Sequence, residues 1–507
     1  TGNASWTGTV GGVTFTRATN GNSGAGGSGP AVKTWIDGRI KVTPSATNEV
    51  GNAHTFDVTV EQNAGGGSWA PAVGVTVTAS LVPGISGATI TGGTCASGVT
   101  NASGVCTVTV NSATVGVGTV NASATWSVGG VSITRATNGT SGWNSNTSGT
   151  KTWVDARIKI SPDATNEVGK AHTFTVTVEK NAGDGNGFVA ASGVTVTPSA
   201  SNSLGATGTI TGGTCTTTVT NGSGQCTIIV SSPTTGHTTV NASATLTING
   251  QVGSATVSRS TATNPGPGGT GPSVKTWVDA SITITPSDTA EVGGTLTFIV
   301  TVRKDLGDGN GLIPASGVDV TGAITNVFGA TATITGGTCT TTVTDAAGQC
   351  TITVSSPTTG RTPGNASATI LVGGVSIARD TDPDTATQGP CTPNCGPAIK
   401  TWVDANITIG PDAVNPVGSP HTFTVTVKQD AGDGNGLQVV SGATITPTLS
   451  NSGGATATIT GGTCISGTTN ASGQCTIIVN SPTPGTATVD VSVTLTINGY
   501  EGSAQVT

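Results

Sequence analysis

The sequence predicts an all-β protein, a tandem array of immunoglobulin-like β-sandwich domains. Three observations predict it: a long segment returns four times, apolar residues alternate with period two, and helical periodicity is absent. The recurrence is plainest at KTWIDGRIKVTPSATNEVG from Lys33 and KTWVDARIKISPDATNEVG from Lys151, then at KTWVDASITITPSDTAEVG from Lys275 and KTWVDANITIGPDAVNPVG from Lys400. Trp35, Trp153, Trp277 and Trp402 stand 118, 124 and 125 residues apart, and Cys95, Cys215, Cys339 and Cys464 stand 120, 124 and 125 apart. A period of about 120 residues is the length of a whole domain and far exceeds a solenoid unit. Arrays of such domains supply length and spacing.

The elements follow in order. Asn3 to Arg17 aligns without a gap on Asn121 to Arg135, so residues 1–20 read as the last two strands of a preceding repeat. An isolated hairpin is marginally stable in water, so these strands are expected to pair with earlier strands of a preceding repeat, in the same or an adjacent chain. On that reading the chain is a window onto a longer array. A linker at 21–30 leads to Ig-like repeat 1 at 31–138, with strands at about 34–43, 54–62, 73–82, 88–94, 105–112, 118–128 and 131–137. In HTFDVTV, Phe56, Val58 and Val60 share one face and Thr55, Asp57 and Thr59 the other, as in a strand with one buried and one wet face. Gly129-Gly130, Asn249-Gly250, Gly373-Gly374 and Asn498-Gly499 are two-residue hairpin turns, because such pairs accept φ > 0. Seven short strands in about 110 residues imply a sandwich of immunoglobulin type. The rest of the chain repeats this plan: linker 139–150, repeat 2 at 151–260, linker 261–272, repeat 3 at 273–380, linker 381–397 with a Cys391–Cys395 loop, and repeat 4 at 398–507. The linkers are rich in Gly, Ser, Thr and Pro, and are expected to be ordered where surfaces pack against them.

Composition narrows the function. Glycine takes 78 of 507 positions, charged residues are 8%, aromatic residues 3%, and methionine is absent. Soluble domains average about 25% charged residues, so this surface relies on hydroxyls, amides, glycans or packing against neighbours. A net charge of −7 with scattered Lys and Arg gives no field that attracts nucleic acid. No run of about 18 apolar residues occurs, so this segment contains no membrane span. The expected partner is a further copy, by self-association into a fibre or array, and no cofactor is expected.

The ten cysteines form five close pairs: Cys95/Cys106, Cys215/Cys226, Cys339/Cys350, Cys391/Cys395 and Cys464/Cys475. Even counts at fixed spacing predict disulfides and an oxidising compartment, extracellular or on the cell surface. Zinc is disfavoured, since no CxxC partners a second one and the four His are not spaced as ligands. Each repeated pair is expected to close a local hairpin around a turn such as Asn101-Ala-Ser-Gly104.

At TNASGVCTVTVNSATVGVGTVNASAT (100–125) the chain resembles the bacterial Ig-like domains of the invasin and intimin type. Their second half runs T-(D/N)-x-x-G-x-A-T-V-T, followed by a G-x-x-x-V-x-A strand. Thr100, Asn101, Gly104, Thr107 to Thr109, Gly118, Val120 and Ala124 occupy that pattern, as do Thr344, Asp345, Gly348, Thr351 and Ile352 in repeat 3. The opening half matches at Pro162 to Val178, and the resemblance covers all four repeats. It implies rod-like stalks on bacterial surface proteins. This chain departs from the pattern in its Cys pair and in lacking a recognisable adhesive tip.

Several residues are candidates for chemistry. Asp184, Asp308 and Asp433, in DGN loops and helped by Asp305 and Asp430, are calcium candidates, but the EF-hand spacing is not met and DGNG is also good turn chemistry. The reading is no metal. Asp37, Asp155, Asp279 and Asp404 follow each Trp and, with Glu49, Glu167 and Glu291, offer a clasp for an inter-domain cation, against solvated strand ends as the plainer reading. Lys33, Lys151, Lys275 and Lys400 invite comparison with Lys–Asn isopeptide staples to Asn121, Asn241, Asn365 and Asp490, but alternation in VNASAT sends Asn121 outward. Asn3, Asn101, Asn121, Asn138, Asn146, Asn221, Asn241, Asn365, Asn406 and Asn470 lie in N-x-S/T sequons and are possible glycosylation sites. Each recurring Trp is expected half-buried at a domain–linker junction. No nucleophile elbow, zincin motif or phosphate loop occurs, so no enzyme is expected. The favoured function is an extracellular structural protein, a segment of a longer array forming a surface filament, stalk or coat. The alternative is an adhesin engaging glycans, host or neighbouring cells through its domain faces.

Overall fold

Strands dominate the computed structural model, which describes residues 1–83, 87–138, 147–384 and 396–507. The second sandwich shows the plan. Its strands are β1 (Gly149–Ser161), β2 (Ala164–Glu167), β3 (His172–Asn181), β4 (Val196–Ser203), β5 (Thr209–Gly212), β6 (Gln225–Ser231), β7 (Gly236–Asn249), β8 (Ser254–Ser260) and β9 (Ser273–Thr285). One sheet runs from the second half of β1 through β3 and β6 to β5. The other places β7 between β4 and the successive strands β8 and β9. In immunoglobulin lettering these are sheets ABED and CFG, with the last strand in two pieces and β2 lying parallel to β9.

That last strand belongs to two sandwiches. Gly236 faces Trp277 and Val240 faces Ser273 where β9 completes the second sandwich. From Asp279 to Thr285 the same strand pairs with Leu296–Asp305 and opens the third. β1 bridges sandwiches one and two in this way, and Ala398–Gly410 bridges three and four. The core of the second sandwich, around Ile158, Phe174, Val176, Ile228 and Val240, therefore closes on Trp277 of the next repeat. Trp153 and Trp402 likewise lie in the first and third cores.

Alternation explains the hand-over. Lys151 and Trp153 point into one core while Val154, Ala156 and Ile158 point into the next. Successive side chains leave a strand on opposite faces, so the adjacent pair Trp153-Val154 enters two different cores. The sequence period drawn from Lys33 and the packed sandwich are thus offset by the length of one donated strand segment.

The segment 261–272 is not a spacer between sandwiches. It interrupts the last strand between β8 and β9 and lies along the free edge of β1. Ile158 N donates to Pro265 O at 2.8 Å, Thr270 N donates to Ile158 O at 3.2 Å, and Ile160 N donates to Thr270 Oγ1 at 2.8 Å. Covering an edge satisfies backbone groups that would otherwise invite pairing with another chain. In the first sandwich Val42 N donates to Thr147 O in the same way.

The strands expected in repeat 1 are present, with added short strands at Ala46–Glu49 and Ala70–Pro71. The hairpin Ser5–Val10/Val13–Ala18 forms a two-stranded sheet among the described residues. In repeat 4, Thr486–Ser492 pairs with Thr446–Ser452 in a two-stranded sheet among the described residues.

Candidate functional site at the sandwich junctions

Among the described residues four disulfides are formed, Cys95–Cys106, Cys215–Cys226, Cys339–Cys350 and Cys464–Cys475, with Cα atoms 5.0–5.1 Å apart. Each ties the turn after a short strand to the strand it pairs with. Asn101 shapes the intervening turn, its Oδ1 accepting from Ser103 N at 2.9 Å and Val105 N at 3.0 Å. The Cys391–Cys395 pair, Asn146 and Trp143 lie outside the described residues.

The candidate calcium carboxylates are turned inward on their own loops. Asp184 accepts from the Asn186 backbone N at 3.1 Å and Nδ2 at 3.0 Å, and Asp308 and Asp433 do the same with Asn310 and Asn435. Those bonds favour the ionised form and hold all three carboxyls below the ordinary range. Among the described residues no three His, Cys, Asp or Glu side chains converge. Asp305 and Asp430 instead reach the preceding sandwich, accepting from Thr235 Oγ1 and Thr359 Oγ1, each at 2.8 Å.

The sequons divide by exposure. Asn3, Asn101, Asn138, Asn221, Asn406 and Asn470 are exposed, while Asn121, Asn241 and Asn365 are half-buried on strands. Asn121 Oδ1 accepts from Ser148 Oγ at 2.6 Å, facing away from the core as alternation requires. That placement leaves no isopeptide geometry with Lys151, which is buried on the inner face, while Lys33 is exposed.

Three groups meet at the first two junctions, and the first two of them recur at the third. The first is the tryptophan. Contrary to the half-wet position expected from the sequence, Trp153, Trp277 and Trp402 are 0% exposed, whereas Trp35 is 79% exposed. Trp277 Nε1 donates to Thr238 Oγ1 at 2.9 Å, and Trp402 Nε1 to Thr362 Oγ1 at 3.1 Å. Those hydroxyls donate onward to Asn202 and Asn326. In the first sandwich Gly118 occupies the corresponding register position, and Trp153 Nε1 has no partner.

The second group is a buried lysine. Lys151, Lys275 and Lys400 are 0% exposed, and their Nζ atoms have no hydrogen-bond partner. Aromatic faces compensate in part: Nζ lies 5.5 Å from the Trp277 ring centroid for Lys275 and 4.9 Å from that of Phe298 for Lys400. Burial pushes Lys151 and Lys275 down to about 8, and lowers Lys400 against the opposing pull of Asp288.

The third group is the clasp itself. Asp37, Asp155 and Asp279 do meet a cation, and it is a guanidinium of the chain, whereas Asp404 makes no ion pair among the described residues and accepts from Ala405 N at 2.8 Å. Arg259, on β8, pairs with Asp155 of its own sandwich and reaches Glu49 of the preceding one at 2.7 Å. Its Nε also donates to Ala156 O at 2.7 Å. Arg379 repeats this with Asp279 and with Glu167 at 2.7 Å. Burial pushes the Asp279 carboxyl up despite its arginine. Arg135 pairs with Asp37 alone. The arginines were not legible as site residues, although all three recur at one place in the closing hairpin. Around the clasp, the hairpin tip of each sandwich docks on the one before: Thr47 Oγ1 donates to Val252 O at 2.6 Å, and Thr289 Oγ1 to Glu501 O at 2.6 Å.

Two aromatics outside the cores stack on arginines. Trp69 lies under the Arg39 guanidinium at 4.3 Å and Phe188 under Arg157 at 4.4 Å. A depression of about 630 Å³ in the first sandwich is lined by residues that include Thr76, Val77, Ile90 and Val108, with no charged group among them.

Comparison with known proteins yields no matching family model and no match among curated proteins. Solved structures do match. Three N-terminal domains of the bacteriophage RB49 Highly Immunogenic Outer Capsid protein (Hoc) align at 12% identity over 72% of this chain and 99% of that one, with a TM-score of 0.24. Yersinia pseudotuberculosis InvD aligns at 12% identity over 67% of this chain and 83% of that one, TM-score 0.21. Domains 1–6 of surface layer protein SbsC align at 15% identity over 92% of this chain and 54% of that one, TM-score 0.20. The immunoglobulin-like assignment rests on the strand order of the sandwiches themselves.

Proposed function

We propose that this chain is an extracellular structural protein, a segment of a longer array that serves as a surface filament, stalk or coat. The observation that carries the reading is the strand shared by consecutive sandwiches. A load along the chain passes through a strand hydrogen-bonded in both neighbours, so one sandwich cannot tilt freely without disturbing the other. The buried Arg–Asp–Glu clasp and the docked hairpin tip resist the same tilt. Disulfides in a chain this poor in charge suit an oxidising exterior. The repeated investment is in junctions, and catalysis has no part in the proposal. Electron microscopy of the isolated chain tests it. Straight rods with a narrow spread of angles between sandwiches are expected, and beads joined at freely varying angles would overturn the reading.

A further inference from the structure

The Asp-Gly-Asn loops at 308–310 and 433–435 each meet an apolar side chain of the sandwich before them. Leu204 follows β4 in sandwich two, and Phe328 stands at the same turn of sandwich three. A Cβ placed on Gly309 would stand 3.2 Å from Leu204 Cδ2, and one on Gly434 would stand 2.8 Å from Phe328 Cδ1. The centre of each loop is thus a socket that only glycine leaves open. Both occupants are held in left-handed backbone, Leu204 at φ 55° and Phe328 at φ 57°, where a bulky side chain is strained. Among the described residues no other non-glycine residue has a positive φ. The turn itself does not demand these side chains. In repeat 4 Gly453-Gly454 follows the same course at φ 61° and 94°, against 55° and 92° for Leu204-Gly205.

We infer that Leu204 and Phe328 are latches that fix the angle between consecutive sandwiches, each seated on the central glycine of the next Asp-Gly-Asn loop. Glycine would adopt this backbone without strain, so the contact across the junction is what offsets the strain of a larger residue. The loop is shaped to receive it. Asp308 and Asp433 bond the side chains of their own Asn310 and Asn435, while Asp305 and Asp430 at the loop base accept from Thr235 and Thr359 of the sandwich that carries the latch. The two latches differ in strength. Arg361, whose backbone pairs with that of Val327 beside Phe328, sets its guanidinium 5.1 Å from the Phe328 ring centroid and 4.8 Å from that of Tyr500, on the hairpin tip of sandwich four. Cation–π contact thus ties the latch to the incoming hairpin. In sandwich two, His237 stands where Arg361 stands, and the facing tip of sandwich three is Gly373-Gly374, without an aromatic ring. The inference rests on the stiff-array reading above.

Single-molecule energy transfer on the whole chain tests it. Dyes are coupled through unnatural amino acids at Val219 and Val343 to span sandwiches two and three, or at Val343 and Ile465 to span three and four, all three side chains being exposed. Leu204→Asn keeps a residue that accepts left-handed backbone and removes the apolar contact. It should broaden the distribution of transfer efficiency between sandwiches two and three and leave that between three and four as it was. Phe328→Asn should do the reverse, and more strongly, because Arg361 also loses a ring. Arg361→Gln, which keeps the latch, should broaden the second distribution less than Phe328→Asn does. Circular dichroism checks that each variant is folded. Distributions that stay narrow in both Asn variants would overturn the latch and leave the stiff array standing. A distribution already broad in the unaltered chain would overturn the stiff array, and the latch with it.

Discussion

At the residue scale, the hydroxyl under each junction tryptophan is a sharp test, because the array contains its own control. Trp277 and Trp402 have Thr238 and Thr362 as acceptors, and Trp153 has none. Thr238→Val keeps the shape, leaves a buried N–H unpaired, and should lower the stability of sandwich two by about 1–2 kcal/mol in chemical denaturation. The buried lysines predict a pH dependence. Burial lowers Lys275 from 10.5 to about 8. Between those values the unfolded chain holds a proton that the folded chain has released, so stability rises with pH across that window and is flat with respect to this group below it. Lys275→Met should remove that slope and raise stability at neutral pH by roughly 1–3 kcal/mol, since a charge no longer has to be desolvated. Thermal melts of both proteins from pH 7 to 10.5 check this.

These residues also show what was legible. A lysine two places before a tryptophan reads from sequence as a wet strand end, because burying an unpaired ammonium is costly and rarely foreseen. The signal that was available is the break in alternation. In K-T-W-V-D-A-R-I the inward positions Lys151 and Trp153 are odd-numbered and the inward positions Val154, Ala156 and Ile158 are even-numbered. One strand with two phases serves two cores.

At the scale of elements, strands and hairpin turns were readable because each presents one apolar face to one core, and the Cys pairs were readable because their spacing recurs. The partner of an edge was not. Nothing local in TATNPGPGGTGP reveals that Pro265 and Thr270 bind the edge of β1, since loop backbone groups carry no side-chain code. Nor did the acidic residues after each Trp name their cation, because Arg259 is 104 residues from Asp155 and 210 from Glu49. The clasp gives a firm prediction. Arg259→Met strands Asp155 in a buried site, and should destabilise sandwich two by about 3–5 kcal/mol. Arg135→Met, at a pair with more solvent access and no second carboxylate, should cost less. Denaturation followed by a probe in each sandwich separates the two. Reduction of Cys215–Cys226 should in turn lower the stability of sandwich two by about 2–3 kcal/mol, as expected for a ring of this size.

At the scale of the whole molecule, the central claim is that each sandwich is completed by the following repeat. Hydrogen exchange on the full chain carrying Trp277→Ala tests it most directly. Truncating a buried Trp costs about 3–5 kcal/mol where the ring is packed. The account predicts that amide protection falls in sandwich two, at Phe174 to Val178 and at Val240 beside the emptied pocket, while Phe298 to Val302 of sandwich three changes far less. Loss of protection confined to sandwich three, where a domain starting at residue 273 would place this tryptophan, would contradict it.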